Sequence, residues 1–185
     1  MKIMILDSLR SILSSRINPV LEDYCKNKLA SILVVIYGES PIVVMTEKPK
    51  YMKFHAGEIS FPGGKLDVRD ANLLETALRE TREEIGLNLR SDQVIGQLDP
   101  VITLNSGFTI LSFVSILDKI PPLSANAEVE KIFHIPLEQF LRTLANDPDP
   151  THNLIQEMYT FEFQGKIVWG ASARVLKQIA DCRPF

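Results

Sequence analysis

Arg79, Glu80, Glu83 and Glu84 stand within six residues of one another in GEISFPGGKLDVRDANLLETALRETREEIGL, Gly57 to Leu87, shortly after a double glycine, Gly63-Gly64. On a helix advancing about 100° per residue, Glu83 and Glu84 lie at i+3 and i+4 from Glu80, so the carboxylates project from one side. Like charges at that spacing cost about 0.2–0.5 kcal/mol per pair in an isolated helix, and something must offset them. One reading is a solvated face in which Arg79 pairs with Glu75 and Glu83 at i−4 and i+4. The other is a grip on Mg²⁺ or Mn²⁺, hard ions that take oxygen ligands and turn the repulsion into attraction, with Arg79 orienting a ligand carboxylate. The acids alone leave both open.

The elements around them add weight. Asn72 with Glu75 three residues on predicts a capped helix start, and Gly86 after Ile85 predicts its end. Leu74, Leu78, Thr81 and Ile85 form the stripe expected to face the core. GEISF reads as a strand running into Gly63-Gly64, where the backbone can approach a ligand and leave amides facing anionic oxygens. Strand, double glycine, loop, capped helix and an acidic stripe ending in Glu-Glu-x-Gly is more specific than any of its parts.

Elsewhere, Ile32–Tyr37 and Ile42–Met45 predict a hairpin around Gly38-Glu39-Ser40-Pro41. QVIGQLDPVITL and FTILSFVSIL read as strands separated by the turn residues Asn105-Ser106-Gly107, IPLEQFLRTLA reads as a helix, and NDPDPTHN as a loop. MYTFEF and KIVWG suit a second hairpin, followed by an amphipathic helix in ASARVLKQIADC. Strands and helices interleave with hairpins, which predicts an α/β fold of α+β type with a mixed β-sheet flanked by helices. The 185 residues fit one domain, residues 1–185, in which residues 1–28 form an N-terminal helical extension that either caps the fold or forms the contact of a homodimer.

A net charge of −3 with scattered lysines and arginines argues against a nucleic-acid surface and confines phosphate recognition to a local constellation. The apolar tract ASILVVIYGESPIVVM breaks at Gly38, too early to span a bilayer, and the N-terminus is interrupted by Asp7 and Arg10, unlike a signal peptide. A cytoplasmic location is expected, with no membrane partner. Cys25 and Cys182 match no zinc or disulfide spacing.

RETREEIGL, Arg79 to Leu87, resembles the second half of the box of the Nudix hydrolases, Gly-x5-Glu-x7-Arg-Glu-U-x-Glu-Glu-x-Gly-U with U apolar. The first half departs: Gly64 lies one residue further from Arg79 than the pattern allows, and Ala71 occupies the place of its structural glutamate, with Asp70 and Glu75 nearby. The upstream segment VVMTEKPKYMKFHAGEISFPGG resembles the coenzyme A pyrophosphatases of that family, which carry roughly Leu-Leu-Thr-x-Arg-Ser-x3-Arg-x3-Gly-x3-Phe-Pro-Gly-Gly; here Thr46, Gly57 and Phe61 to Gly64 keep the frame, while Lys48 and Lys53 replace the arginines and Pro49 the serine. EVEKIFHIPLEQFL and VWGASARVL are similar to the later part of the same subgroup.

The resemblance implies a Nudix-like α/β/α sandwich and a pyrophosphatase dependent on Mg²⁺ or Mn²⁺, cleaving coenzyme A or its derivatives to 3',5'-ADP and 4'-phosphopantetheine or its acyl form. It assigns Glu80, Glu83 and Glu84 to the metal and Arg79 to orienting Glu83. The general base is one of these acids or a later one, Glu128 or Glu130. Lys48 and Lys53, with Gly63 and Gly64, would meet the substrate's phosphates, although a lysine lacks the two-pronged fit of arginine. Trp169 either stacks on a base or packs between the last strand and helix; Phe61 and Phe113 read as core. Two other readings stand beside this one. A Nudix hydrolase of NADH, a sugar nucleotide or an oxidised nucleotide is favoured by the replaced arginines. A non-catalytic nucleotide-binding module would be expected to lose acids from the stripe, which here persist.

Overall fold

β1 (Leu29–Tyr37) and β2 (Ile42–Glu47) are the β-branched runs on either side of the Gly-Glu-Ser-Pro turn, and they pair antiparallel at Ile36–Val43 and Tyr37–Ile42. The structure is a computed structural model that describes residues 3–21, 28–52, 56–104, 106–152 and 158–185. Away from the turn, β1 and β2 take different partners. β3 (Ile59–Ser60) pairs with Thr46 and Glu47 at the end of β2, and β4 (Gly63–Lys65) pairs antiparallel with Ala30 to Ile32 of β1. The double glycine is therefore strand.

β6 (Thr109–Leu117) runs parallel to β1 along its whole length, from Leu29–Thr109 to Tyr37–Leu117, and β5 (Gly96–Ile102) closes that edge antiparallel to β6. The β5–β6 register shifts between Leu98 and Val101, across Pro100, which has no N–H to give to a ladder. β7 (Lys131–Pro136) pairs antiparallel with all of β2. The sheet is mixed, as expected. The helix expected from IPLEQFLRTLA is shorter: Ile135 and Pro136 end β7, and only Leu137–Leu141 form α3. A small antiparallel sheet, β8 (Ala145–Asn146), β9 (Tyr159–Phe163) and β10 (Lys166–Val168), follows, with β9 and β10 making the predicted second hairpin.

Alternate residues of the main sheet feed two apolar layers, as the two-residue period of a strand requires. Leu33 and Val35 of β1 join Leu73, Ala77 and Ile85 of α2 (Leu73–Ile85) on one face. Val34 and Ile36 join Leu6, Leu9 and Leu13 of α1 (Ile3–Leu13) and Ala173, Val175, Leu176 and Ile179 of α4 (Gly170–Asp181) on the other. The result is an α/β/α sandwich. Of the helical extension expected over residues 1–28, the helix spans Ile3–Leu13 and residues 14–21 have no regular secondary structure; the three leucines of α1 are buried, and beyond it Ser15 donates its N–H to the Ile95 carbonyl at 3.2 Å. Phe61 and Phe113 are core, as expected. Among the described residues no helix is long and apolar enough to cross a membrane.

Candidate active site

α2 begins where the sequence places it. Asn72 Oδ1 accepts the N–H groups of Leu74 and Glu75 at 2.9 and 3.1 Å, while the Glu75 carboxylate accepts the Ala71 N–H at 2.8 Å, one residue earlier than a capping box would have it. Gly86, at φ 71°, ends the helix with its N–H on the Arg82 carbonyl. The buried arc is rotated from the predicted stripe. Leu73, Thr76, Ala77, Thr81, Glu84 and Ile85 are buried, whereas Leu74 and Leu78 are only partly so. Glu84 thus lies in the sheet-facing arc and not on a separate acidic stripe.

What receives that carboxylate is the gap between β4 and the loop leaving β2. Glu84 is 2% exposed; its Oε2 accepts the Gly63 N–H at 3.1 Å and its Oε1 accepts Lys48 Nζ at 2.5 Å. Burial pushes the Glu84 carboxyl above its ordinary value, against the opposing pull of Lys48. The glycines admit close neighbours on two further sides. A side chain on Gly63, at φ 154°, would overlap the Ser31 carbonyl and Ile32 of β1, and one on Gly64 would sit 2.5 Å from the Glu80 carboxylate.

Arg79 organises the other acids. Its Nε and one terminal nitrogen grip both oxygens of Asp70 at 2.9 and 2.8 Å, and its other terminal nitrogen reaches Glu80 at 2.7 Å and Glu83 at 3.2 Å. Asp70 also accepts the Thr76 hydroxyl at 2.9 Å and the Asp67 N–H at 3.1 Å, and the Arg79 guanidinium holds its carboxyl below the ordinary carboxylate range. Glu75, offered by the sequence as a partner of Arg79, instead caps the helix start.

Asp70 is the residue that sequence reasoning passed over. Counting back from Arg79 places the missing acid at Ala71; counting forward from Gly64 by the Gly-x5-acid spacing lands on Asp70. The extra residue lies between Asp70 and Arg79, and the forward count was the available signal.

Of the two later acids, Glu128 is exposed with its carboxylate 3.8 Å from Lys48 Nζ, and Tyr51 donates to the neighbouring Ala127 carbonyl at 3.0 Å. Glu130 is exposed, and its backbone N–H bonds the Glu47 carbonyl at 2.8 Å. Lys53, together with Cys25 and Asn105, lies outside the described residues. Trp169, between β10 and α4, is 37% exposed and stacks on the His152 ring at 5.6 Å between centroids. His152 in turn bonds Asp147 at 2.9 Å, which raises its basicity.

The donor chemistry of Glu80, Glu83 and Glu84 suits a hard divalent ion, since every ligand offered is a carboxylate oxygen. As the side chains stand, Arg79 holds Glu80 and Glu83 while Lys48 holds Glu84, and among the described residues no group of three or more His, Cys, Asp or Glu side chains converges on one point.

Residues 27–156 match the model of the NUDIX domain family. The chain is similar, at 32% identity over 159 residues, to an uncharacterized Nudix hydrolase, NudL, of Photorhabdus laumondii, with 84% of each chain covered. Among solved structures it resembles a NUDIX hydrolase from Alicyclobacillus acidocaldarius, with a TM-score of 0.58 and 20% identity over 85% of this chain and 92% of that one. A MutT/nudix family protein from Enterococcus faecalis gives the same TM-score, 0.58, at 14% identity, over 86% of this chain and 63% of that one. These two likenesses are of fold.

Proposed function

This chain belongs to the Nudix family, and we propose that it is a divalent-metal-dependent pyrophosphohydrolase cleaving coenzyme A or an acyl derivative to 3',5'-ADP and 4'-phosphopantetheine or its acyl form. The supporting observation is the pair of α2 carboxylates, Glu80 and Glu83, held by an arginine that is itself clamped by Asp70. Hydrolysis of a nucleoside diphosphate linkage needs little covalent help from a protein; a bound Mg²⁺ or Mn²⁺ neutralises phosphate oxygens, activates water and stabilises the leaving phosphate.

In this reading Glu80, Glu83 and Glu84 are the metal ligands. Arg79, fixed by both oxygens of Asp70, sets the orientation of Glu80 and Glu83. Gly64 leaves the Glu80 carboxylate the space a side chain would take. The proton of the attacking water passes to a carboxylate drawn from the α2 acids or from Glu128 and Glu130, and Glu128 is drawn toward the site by Lys48. The frame from Val43 to Gly64 supports coenzyme A as the substrate, with Lys48 and Lys53 meeting its phosphates as Gly63 and Gly64 bring the backbone close.

A second reading, hydrolysis of another nucleoside diphosphate derivative, is favoured by one observation: Lys48 is already committed to Glu84 at 2.5 Å. The test is a substrate panel of coenzyme A, acetyl-coenzyme A, NADH, a sugar nucleotide and an oxidised nucleotide, each with Mg²⁺ or Mn²⁺ and read by mass spectrometry. The coenzyme A products from the wild type and none from Glu83→Gln is the expected result. Turnover of another compound with coenzyme A untouched refutes the substrate assignment, and no turnover of any refutes the catalytic one.

A further inference from the structure

Lys48 reaches α2 from the loop leaving β2. Its side chain is 17% exposed, with Nζ 2.5 Å from Glu84 Oε1 and 3.8 Å from Glu128 Oε2. Glu84 is the most deeply buried of the α2 acids, with a side chain 3% exposed against 18% for Glu80 and 48% for Glu83. A carboxylate taken so far from water needs an opposite charge beside it, and Lys48 supplies one. Glu80 and Glu83 share Arg79, whose guanidinium is anchored by Asp70. Among the described residues nothing comparable anchors the Lys48 ammonium, which has a second, exposed carboxylate close at hand.

We propose that Lys48 is a built-in competitor for the metal: it neutralises Glu84 while no ion is bound, and an incoming divalent cation displaces its ammonium toward Glu128. The inference rests on the reading of Glu84 as a metal ligand and deepens it by naming what sets the affinity of that ligand. Two electrostatic effects act in the same direction. Removing the ammonium leaves Glu84 buried and uncompensated in the free protein, and it also takes a like charge away from the ion. Both favour the ion. A lysine that merely braced the site would have the opposite effect when lost, because its removal would loosen the ligand.

The test is Mn²⁺ binding to the full chain without substrate, followed by electron paramagnetic resonance of the free ion and by the melting temperature with and without Mn²⁺. Lys48→Met is expected to bind Mn²⁺ about tenfold more tightly than the wild type, and to show a larger Mn²⁺-induced rise from a lower starting melting temperature. Lys48→Gln keeps a neutral donor within reach of Glu84 and gives the same tightening, which covers a Met variant that does not fold. Glu84→Gln weakens binding if Glu84 is a ligand. Unchanged or weaker Mn²⁺ affinity in both Lys48 variants, with Glu84→Gln still weakened, overturns the competitor role and leaves the site reading standing. Indifference to Glu84→Gln overturns the site reading itself.

Discussion

α2 and α4 press on opposite faces of one sheet and are nearly equal in length, 13 and 12 residues, yet their buried arcs differ in kind. α4 buries Ala173, Val175, Leu176 and Ile179, all apolar. Burying an aliphatic side chain of that size contributes about 1.5–3 kcal/mol, enough to hold the helix without further devices. α2 does the same with Leu73, Ala77 and Ile85, but places Glu84 in the same arc. That choice costs stability unless the charge is matched, and Lys48 and the Gly63 amide supply the matching. One helix buries an all-apolar arc, and the other gives part of that arc to a carboxylate.

The difference is broken most strongly by exchanging the kinds of damage. Glu83→Gln on α2 is expected to lower turnover about a thousandfold while leaving the urea midpoint close to the wild type, because Glu83 is half exposed. Leu176→Ala on α4 is expected to lose about 2–5 kcal/mol in urea titration with turnover per folded molecule unchanged. Loss of turnover in the α4 variant, after correction for folded fraction, would erase the contrast.

Asp70→Asn sharpens it. Breaking the buried pair with Arg79 is expected to cost about 3 kcal/mol at neutral pH. The Asp70 carboxyl lies below its ordinary value in the folded protein, so its contribution is complete above the unfolded value, about 3.9, and is lost as pH falls through the lower folded value. The gap between wild type and Asp70→Asn in denaturant should therefore close on acidification below that point; a gap that stays constant with pH would mean the ion pair is not its source. Gly64→Ala is the mildest. Its methyl would meet the movable end of Glu80, not backbone, so stability should fall by less than about 1 kcal/mol while turnover falls about tenfold. Unchanged kinetics would show that the position of Glu80 is not critical.

Local signals were the legible ones. Asn72 and Gly86 bound α2 through groups a few residues away, and the β1–β2 hairpin follows from its own turn. What depended on distant partners was not legible. Gly63-Gly64 becomes strand because β1 lies beside it, and β7 forms against β2 across more than eighty residues of chain. The rotation of the α2 arc has the same origin: a helical wheel places Glu84 beside Leu73, but only the gap between β4 and the loop after β2 makes burial of a carboxylate tolerable there. Lys48 reads from sequence as a phosphate ligand, and its contact with Glu84 requires the fold. Asp70 was within reach of the spacing from Gly64.

The measurement that bears most directly on the account is the pair of Lys48→Met and Lys48→Met/Glu84→Gln, each followed by melting temperature and Mg²⁺-dependent hydrolysis. If the buried charge is kept for chemistry, the double variant melts above the single one, near the wild type, because no uncompensated charge is left inside, and its turnover is abolished. A double variant that hydrolyses its substrate at the wild-type rate, or that melts below Lys48→Met alone, would contradict it.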